Sequence, residues 1–194
     1  MMIEKITIDD EFIDKWQRRY EETEDDEGEY QNIVAKVKEE IDKSHSISKE
    51  LFIRILYWKA PRVTGIIKLD AYDTTYSPAV RKCIGAADND KIGILDALYG
   101  IGGPVASTII HFIFPSSFPI IDIRTADVLF YSAKLLNSRS TDLKNYPPFR
   151  SIMLNIVHKH PQWTLRHLDR ALFAYDKIEL DPKLKSLNQN ISEG

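Results

Sequence analysis

The sequence predicts an all-α protein. Apolar residues recur at the three- and four-residue spacing of amphipathic helices along most of the chain. No stretch keeps the strict alternation of apolar and polar residues that is typical of a β-strand, and the chain contains no internal repeat or low-complexity segment. We therefore expect one helical domain over residues 1–180, followed by a flexible tail over residues 181–194.

The predicted helices follow one another with short connections. The first carries Phe12, Trp16 and Tyr20 on one face, at positions i, i+4 and i+8. Ser48 is placed to cap the third, and Pro61 ends it. From the second helix onward, the predicted spans are residues 30–42, 51–58, 64–69, 79–87, 92–98, 105–113, 123–136, 149–159 and 164–178.

The sequence makes specific predictions for two connections and for one helix face. Residues 118–122 (Phe-Pro-Ile-Ile-Asp) predict a short extended segment ending at Asp122, which caps the following helix. Residues 137–148 are polar and contain proline, which favours a loop. In the last predicted helix, the face expected to meet solvent carries Arg166, Arg170 and Lys177.

Composition excludes several classes of protein. Cys83 is the only cysteine, which excludes an internal disulfide, a multi-cysteine zinc site and an iron–sulfur cluster. This cysteine usage also predicts a reducing, cytoplasmic location. The beginning of the chain lacks the pattern of a signal peptide, so none is expected. No window approaches the roughly 20 apolar residues of a membrane span, so we expect no membrane partner.

The charge is unevenly distributed. The net charge of −3 by itself argues mildly against a nucleic-acid partner. Residues 1–57, however, carry a balance of −7, whereas the rest of the chain sums to +4. We therefore expect any polyanion to bind the later part of the chain. The acidic stretch at residues 21–29 is expected to be a solvated helix end or loop.

A glycine-rich turn separates two of the predicted helices. Residues 98–106 (Leu-Tyr-Gly-Ile-Gly-Gly-Pro-Val-Ala) form a helix end, a turn and a helix start. Glycine permits a positive φ, so the chain can reverse within a few residues. The turn leaves the N–H groups of Ile101, Gly102 and Gly103 uncovered at the positive end of the second helix, which favours an anion such as a DNA phosphate. On these residues alone, a plain αα-hairpin is an equally good explanation.

Residues 95–135 resemble the helix-hairpin-helix DNA glycosylase superfamily, which includes endonuclease III, the adenine-mismatch glycosylase and the 8-oxoguanine glycosylase. In that superfamily, a hairpin of the form Leu-Pro-Gly-aliphatic-Gly precedes a Pro-containing turn that ends in Asp. Gly100 and Asp122 have the corresponding separation, and residues 118–122 are very similar to the Phe-Pro-Ile-Leu-Asp of the adenine glycosylase. Residues 58–62 and 168–172 resemble signatures of a compact bacterial branch.

The resemblance implies a bilobal helical bundle that binds DNA and takes part in base-excision repair. Asp122 would be the catalytic carboxylate of a hydrolase that cleaves N-glycosidic bonds. Pro104 stands where bifunctional members carry a Schiff-base lysine, so a lyase using that residue is excluded and a monofunctional glycosylase remains. The resemblance implies no cofactor, although it allows a monovalent cation at the hairpin carbonyls. The hairpin residues implied to contact DNA are Tyr99, Gly100, Ile101, Gly102 and Gly103.

Three cationic side chains are further candidates for contacting DNA. Arg124 either contacts a phosphate or pairs with Asp127. Lys59 and Arg62 either contact DNA or pair with an acidic helix.

Asp122, Tyr99 and His111 each have an alternative role. The alternative for Asp122 is a purely structural role as an N-cap, without catalysis. Tyr99 either packs into a minor groove or covers the protein core. His111 lies among apolar residues, which favours a hydrogen-bonded core histidine over a ligand.

The sequence leaves open three functions. The first is a monofunctional, metal-independent DNA glycosylase, and the second is a non-catalytic hairpin module that binds DNA. Both predict salt-sensitive DNA binding, but only the first predicts an abasic product that depends on Asp122. The third is a helical protein–protein interaction domain in which the glycine turn is merely structural, and the net charge of −3 favours it.

Overall fold

A computed structural model describes residues 3–24 and 26–192. These residues form helices and connections, with no β-strand among them, which confirms the all-α prediction. No helix within the described part of the chain combines the length and the apolar character needed to cross a membrane. In chain order, helices α1 to α10 cover Asp10–Thr23, Glu27–Ser44, Lys49–Lys59, Ser77–Gly85, Asp88–Asp96, Gly103–Ile113, Ile123–Asp127, Tyr146–Lys159, Leu165–Tyr175 and Asp181–Ser192.

The chain divides into two compact units. The terminal unit consists of described residues 3–24, 122–141 and 148–192. The central unit consists of residues 26–121 and 142–147. The sequence predicts one domain over residues 1–180, whereas the observed contacts form two groups, each with a core of its own.

α6 is the core helix of the central unit. α2, α3 and α5 pack against it, and α4 packs against α5. Ile109, Ile110 and Phe112 of α6 are fully buried, as expected for a helix that is apolar on every side. The side chains that complete this core include Ile33, Val37, Phe52, Ile55, Val80 and Leu95.

α1 and α9 form the core of the terminal unit. Phe12, Trp16 and Tyr20 are buried on one face of α1, as predicted. The ring of Trp16 lies edge-on to that of Tyr175 with 5.2 Å between centroids, and Tyr20 lies edge-on to Phe173 at 5.6 Å. Such pairs contribute about 0.5–1.5 kcal/mol beyond the area they bury. α7 also packs against α9.

Two arginines of α9 contradict the predicted solvent face. Arg166 and Arg170 are 5% and 3% exposed, and their guanidinium groups lie 5.3 and 5.2 Å from the centroid of the Tyr20 ring. Arg170 also donates to Glu21 at 2.6 Å. The prediction is wrong for these two residues because an arginine can bury its stem and stack on an aromatic ring while its charge is paired. Lys177 is exposed, as predicted.

The acidic stretch at residues 21–29 spans the end of α1 and the start of α2. The prediction of a solvated stretch is incomplete, because several of its carboxylates are held in ion pairs. Residue 25 lies outside the described residues. The ion pairs are Glu21 with Arg170, Glu24 with Lys177 and Glu29 with Arg54.

The helix predicted over residues 123–136 ends early. α7 continues as a π-helical turn, Val128–Ser132. Lys134 then adopts a left-handed φ of 56°. The N–H groups of Leu135 and Leu136 donate back to the carbonyl of Leu129 at 2.9 and 3.2 Å, which closes the helix end.

Short turns replace two other predicted elements. Instead of a helix over residues 64–69, the chain forms 3₁₀ turns at Pro61–Gly65 and Leu69–Ala71. The predicted loop over residues 137–148 contains the 3₁₀ turn Leu143–Asn145, after which α8 begins.

The tail predicted from residue 181 is helical in its described part. α10 begins at Asp181, which pairs with Lys185 at 2.8 Å. The preceding turn contributes a second pair at the same spacing, Lys183 with Glu179 at 3.0 Å. Such i,i+4 pairs favour a helix. The prediction of a flexible tail did not take these pairs into account. Residues 193 and 194 lie outside the described residues.

Candidate functional site

The turn between α5 and α6 requires glycine at position 100. The N–H of Ile101 donates to the carbonyl of Leu98 at 3.0 Å, and Gly100 has a φ of 81°. A Cβ atom on Gly100 would lie 3.0 Å from Cγ1 of Ile67 and 3.3 Å from Cγ2 of Ile66. The left-handed backbone and the close packing therefore both favour glycine here.

α6 begins without a side-chain cap. Gly102 occupies the N-cap position, and its carbonyl accepts from the N–H groups of Val105 and Ala106, each at 2.9 Å. Within residues 3–24 and 26–192, the N–H groups of Gly102 and Gly103 have no acceptor. Gly102 is exposed, whereas Gly103 is buried. The start of this 11-residue helix carries a partial positive charge, so it favours an anion.

The structure corrects the role expected for Ile101. Its N–H is already donated to Leu98, and its side chain is buried. The backbone donors left for an anion are therefore those of Gly102 and Gly103. The carbonyls of Leu98, Tyr99 and Gly102 already accept hydrogen bonds from the protein. A monovalent cation at the hairpin carbonyls stays a prediction.

Tyr99 lies on the surface of the central unit. The residue is 66% exposed, so the alternative in which it covers the core is wrong. Its carbonyl accepts a hydrogen bond from the hydroxyl of buried Tyr76 at 3.0 Å. Nζ of Lys68 lies 5.6 Å from the centroid of the Tyr99 ring. The backbone of Tyr99 is therefore anchored while its ring faces solvent.

His111 is a hydrogen-bonded core histidine, as predicted. It is 1% exposed, and its Nδ1 lies 2.7 Å from the carbonyl oxygen of Phe118. A carbonyl can only accept, so Nδ1 carries the hydrogen. In the neutral ring, Nε2 then accepts from the hydroxyl of Tyr30 at 2.8 Å.

Residues 118–121 are fixed to the central unit by further hydrogen bonds. Tyr146 donates its hydroxyl to the carbonyl of Pro119 at 2.9 Å. The N–H of Ile121 donates to Oγ of Ser107 at 3.1 Å. Together with His111, these side chains hold the segment that leads directly to Asp122. Local sequence spacing does not predict these contacts of Tyr146 and Ser107, because neither residue is adjacent to this segment in the chain.

Asp122 caps α7, as predicted. Its Oδ1 accepts from the N–H of Thr125 at 3.0 Å. In return, the N–H of Asp122 donates to Oγ1 of Thr125 at 3.2 Å. This reciprocal capping box satisfies the backbone N–H groups of Asp122 and Thr125 at the helix start. Asp122 is half-buried, and its catalytic role stays a prediction.

Arg124, on the same short helix, pairs with Asp176 rather than with Asp127. Its Nη1 lies 2.6 Å from Oδ2 of Asp176, and its guanidinium lies 5.2 Å from the centroid of the Phe173 ring. The alternative of an Arg124–Asp127 pair is therefore wrong, because Asp127 pairs with Arg139 at 2.7 Å. About one third of the Arg124 side chain remains exposed (32%).

Burial raises the pKa of two carboxyl groups near this helix. The pKa of Asp176 rises to about 6, although Arg124 opposes the shift. Its Oδ1 has no hydrogen-bond partner among the described residues. Burial likewise raises the pKa of Asp127 against the opposing effect of Arg139. The negative charges of Asp181 and Asp122 add to this second shift.

Lys59 and Arg62 lie in the central unit. Lys59 ends α3 and is half-buried. Arg62 is exposed in the 3₁₀ turn Pro61–Gly65. Both stay candidates for contacting DNA.

The described residues contain no group of three His, Cys, Asp or Glu side chains arranged to hold a metal ion. Cys83 is buried, and burial raises the pKa of its thiol to about 11. Because the thiolate is the reactive form, this cysteine is not suited to nucleophilic chemistry near neutral pH.

Comparison with protein-family models, with curated proteins and with solved structures gives no match.

Proposed function

We propose that this protein binds DNA through the α5–α6 turn and acts as a monofunctional base-excision glycosylase. One observation carries the proposal. The N–H groups of Gly102 and Gly103 stand at the start of α6, and they have no acceptor among the described residues. Backbone donors at a helix start form a site for a phosphate group, and the phosphate backbone is what most DNA-binding proteins contact.

In the proposed reaction, Asp122 supplies the negatively charged carboxylate that acts on the sugar and the attacking water. Cleavage of an N-glycosidic bond breaks the bond between C1′ of deoxyribose and the base nitrogen, and positive charge develops on the sugar. A carboxylate stabilises that charge and accepts a proton from the attacking water, whose oxygen bonds to C1′. The base leaves with the bonding electron pair and takes up a proton. Water is the nucleophile because Pro104 offers no amine for a Schiff base.

The test is single-turnover base excision on a panel of damaged and mismatched duplexes, with wild-type protein and Asp122→Asn. We expect abasic product on at least one duplex with the wild type. Asp122→Asn should lower that rate about 100-fold or more, since asparagine cannot accept the proton or stabilise the charge. Equal activity of the two proteins, or no product on any duplex, contradicts the catalytic proposal.

The second candidate is a non-catalytic module that binds DNA through the same turn. The observation that favours it is the capping box of Asp122, which accounts for this carboxylate without catalysis. An electrophoretic shift assay at low and moderate salt distinguishes the candidates when combined with the excision assay. Salt-sensitive binding without excision selects the module. No binding to duplex, nicked or single-stranded DNA selects a helical protein-interaction domain instead.

A further inference from the structure

Tyr99 is an exposed aromatic ring on an anchored backbone. A tyrosine gains free energy by burying its ring, yet this one is 66% exposed. The backbone of Tyr99 is held in place, because its carbonyl accepts from Tyr76 and the next residues close the turn from Leu98 to Ile101. The turn therefore presents an aromatic ring to solvent from a fixed backbone position.

Ile66 and Lys68 flank the same turn. Ile66 is 52% exposed, and its Cγ2 atom lies 3.3 Å from the position that a Cβ of Gly100 would take. Lys68 extends its ammonium group to 5.6 Å from the centroid of the Tyr99 ring. We call Ile66, Lys68 and Tyr99 the turn platform. It combines an aromatic face, an apolar neighbour and a cation.

The turn platform is next to backbone donors that suit an anion. The exposed N-cap residue Gly102 follows Tyr99 by three positions, and its N–H has no acceptor within the part of the chain that the structure describes. An aromatic face beside cationic and N–H donors matches the chemistry of a nucleotide, which carries a flat base and a phosphate. A bare phosphate would require only the donors.

Resting on the proposed DNA-binding function, we infer that the Tyr99 ring stacks on an unpaired DNA base while Lys68 and the Gly102 N–H hold the adjacent phosphate. Bases inside an intact duplex already have both faces stacked. The protein therefore prefers DNA with an unpaired base, either single-stranded or bulged, over a fully paired duplex. Stacking on an aromatic side chain contributes roughly 1–3 kcal/mol, which corresponds to about 5- to 150-fold in affinity.

The test is fluorescence anisotropy on three labelled DNAs of equal length: a single strand, a duplex with one bulged base and a fully paired duplex. The variants are Tyr99→Ala, Tyr99→Phe and Tyr57→Ala. Tyr57 is the matched control, because it is another exposed tyrosine of the central unit, at 56%. Tyr99→Phe keeps the aromatic face and removes only the hydroxyl.

We expect Tyr99→Ala to weaken binding to the single strand and the bulged duplex about 5- to 150-fold, with less than about a twofold change on the paired duplex. Tyr99→Phe and Tyr57→Ala should bind like the wild type. If wild type binds DNA but Tyr99→Ala lowers all affinities equally or none, the stacking inference fails and the proposed function stands. If wild type binds none of the three DNAs, both fail. Thermal unfolding of each variant verifies that the fold is intact.

Discussion

Two helices of the terminal unit, α7 and α9, begin with the same capping box. Asp122 and Thr125 close the start of α7, and Thr164 and His167 close the start of α9. In both, the N-cap side chain accepts from the N–H three residues later, at 3.0 Å for Asp122 and 3.3 Å for Thr164. In both, the N3 side chain accepts from the N-cap N–H, at 3.2 Å.

The surroundings of the two boxes differ. Thr164 is exposed and uncharged. Asp122 is half-buried, carries a carboxylate whose charge raises the pKa of Asp127, and follows a segment held by His111, Ser107 and Tyr146. A capping box thus identifies where a helix begins, whereas charge and support from neighbouring residues distinguish a candidate functional carboxylate from a purely structural cap.

The largest expected effect is the loss of excision in Asp122→Asn, a substitution that removes the charge of Asp122 but keeps its capping role. Asparagine caps a helix about as well as aspartate, so Asp122→Asn should leave the melting temperature nearly unchanged while excision falls about 100-fold or more. Thr164→Ala should do the reverse, with excision unchanged and a loss of about 1 kcal/mol in stability. Single-turnover kinetics and thermal unfolding measure both. If Thr164→Ala lowers excision as much as Asp122→Asn, the distinction between the boxes is lost.

An intermediate effect concerns α6, whose start has no capping box. Gly100→Ala should destabilise the protein by about 2 kcal/mol, because alanine is disfavoured at a left-handed φ and its Cβ would press on Ile67. Gly102→Ala should cost less, about 0.5 kcal/mol, because alanine is a poorer N-cap than glycine. No further strain is expected, since φ is −102° and no atom lies within 4 Å of the added Cβ. Chemical denaturation gives both values. Equal losses at the two positions would contradict the described turn.

The smallest effect concerns Asp176, which follows the C-terminal end of α9 and binds Arg124 of α7. Its pKa of about 6 in the folded protein lies above the usual carboxyl value. The folded state therefore holds this proton more tightly, and the stability that it contributes below about pH 4 is lost as the pH rises through about 6. The charged groups that act on Asp176 are Arg124, Asp127 and Asp181.

Asp176→Asn cannot titrate, so its stability relative to wild type should increase by about 1 kcal/mol between about pH 5 and pH 8. Thermal unfolding at a series of pH values measures the difference. A difference that is constant or falls with rising pH would show that Asp176 does not carry a raised pKa.

The helices and the local caps could be predicted from sequence because both depend on neighbours three or four residues apart. Asp122 as a cap, the buried stripe of α1 and the core role of His111 follow from such spacing. The ion pairs between residues far apart in the chain could not be predicted in this way. Arg124 pairs with Asp176, and Arg170 pairs with Glu21, although the partners are far apart in the chain. These pairs depend on how α1, α7 and α9 pack.

The surface of the α5–α6 turn was predictable only in part. The glycines predict a tight turn, which forms at Gly100, and uncovered N–H groups. Among the described residues, the N–H groups of Gly102 and Gly103 have no acceptor, but only Gly102 is exposed. The glycines do not predict that the Ile101 N–H donates to Leu98 within the turn or that the Tyr99 carbonyl accepts from Tyr76. Those contacts set which groups of the turn remain for a partner.

The most direct test of the central claim is the DNA affinity of Gly102→Val beside wild type, measured at about 50 and 200 mM salt. No atom lies within 4 Å of the Cβ position at Gly102, and we expect a valine there to obstruct the approach of a phosphate to the start of α6. The account predicts wild-type binding that weakens steeply with salt and a loss of about tenfold or more in the variant, with the fold intact. Wild-type protein that does not bind DNA, or a folded variant that binds equally well, would contradict it.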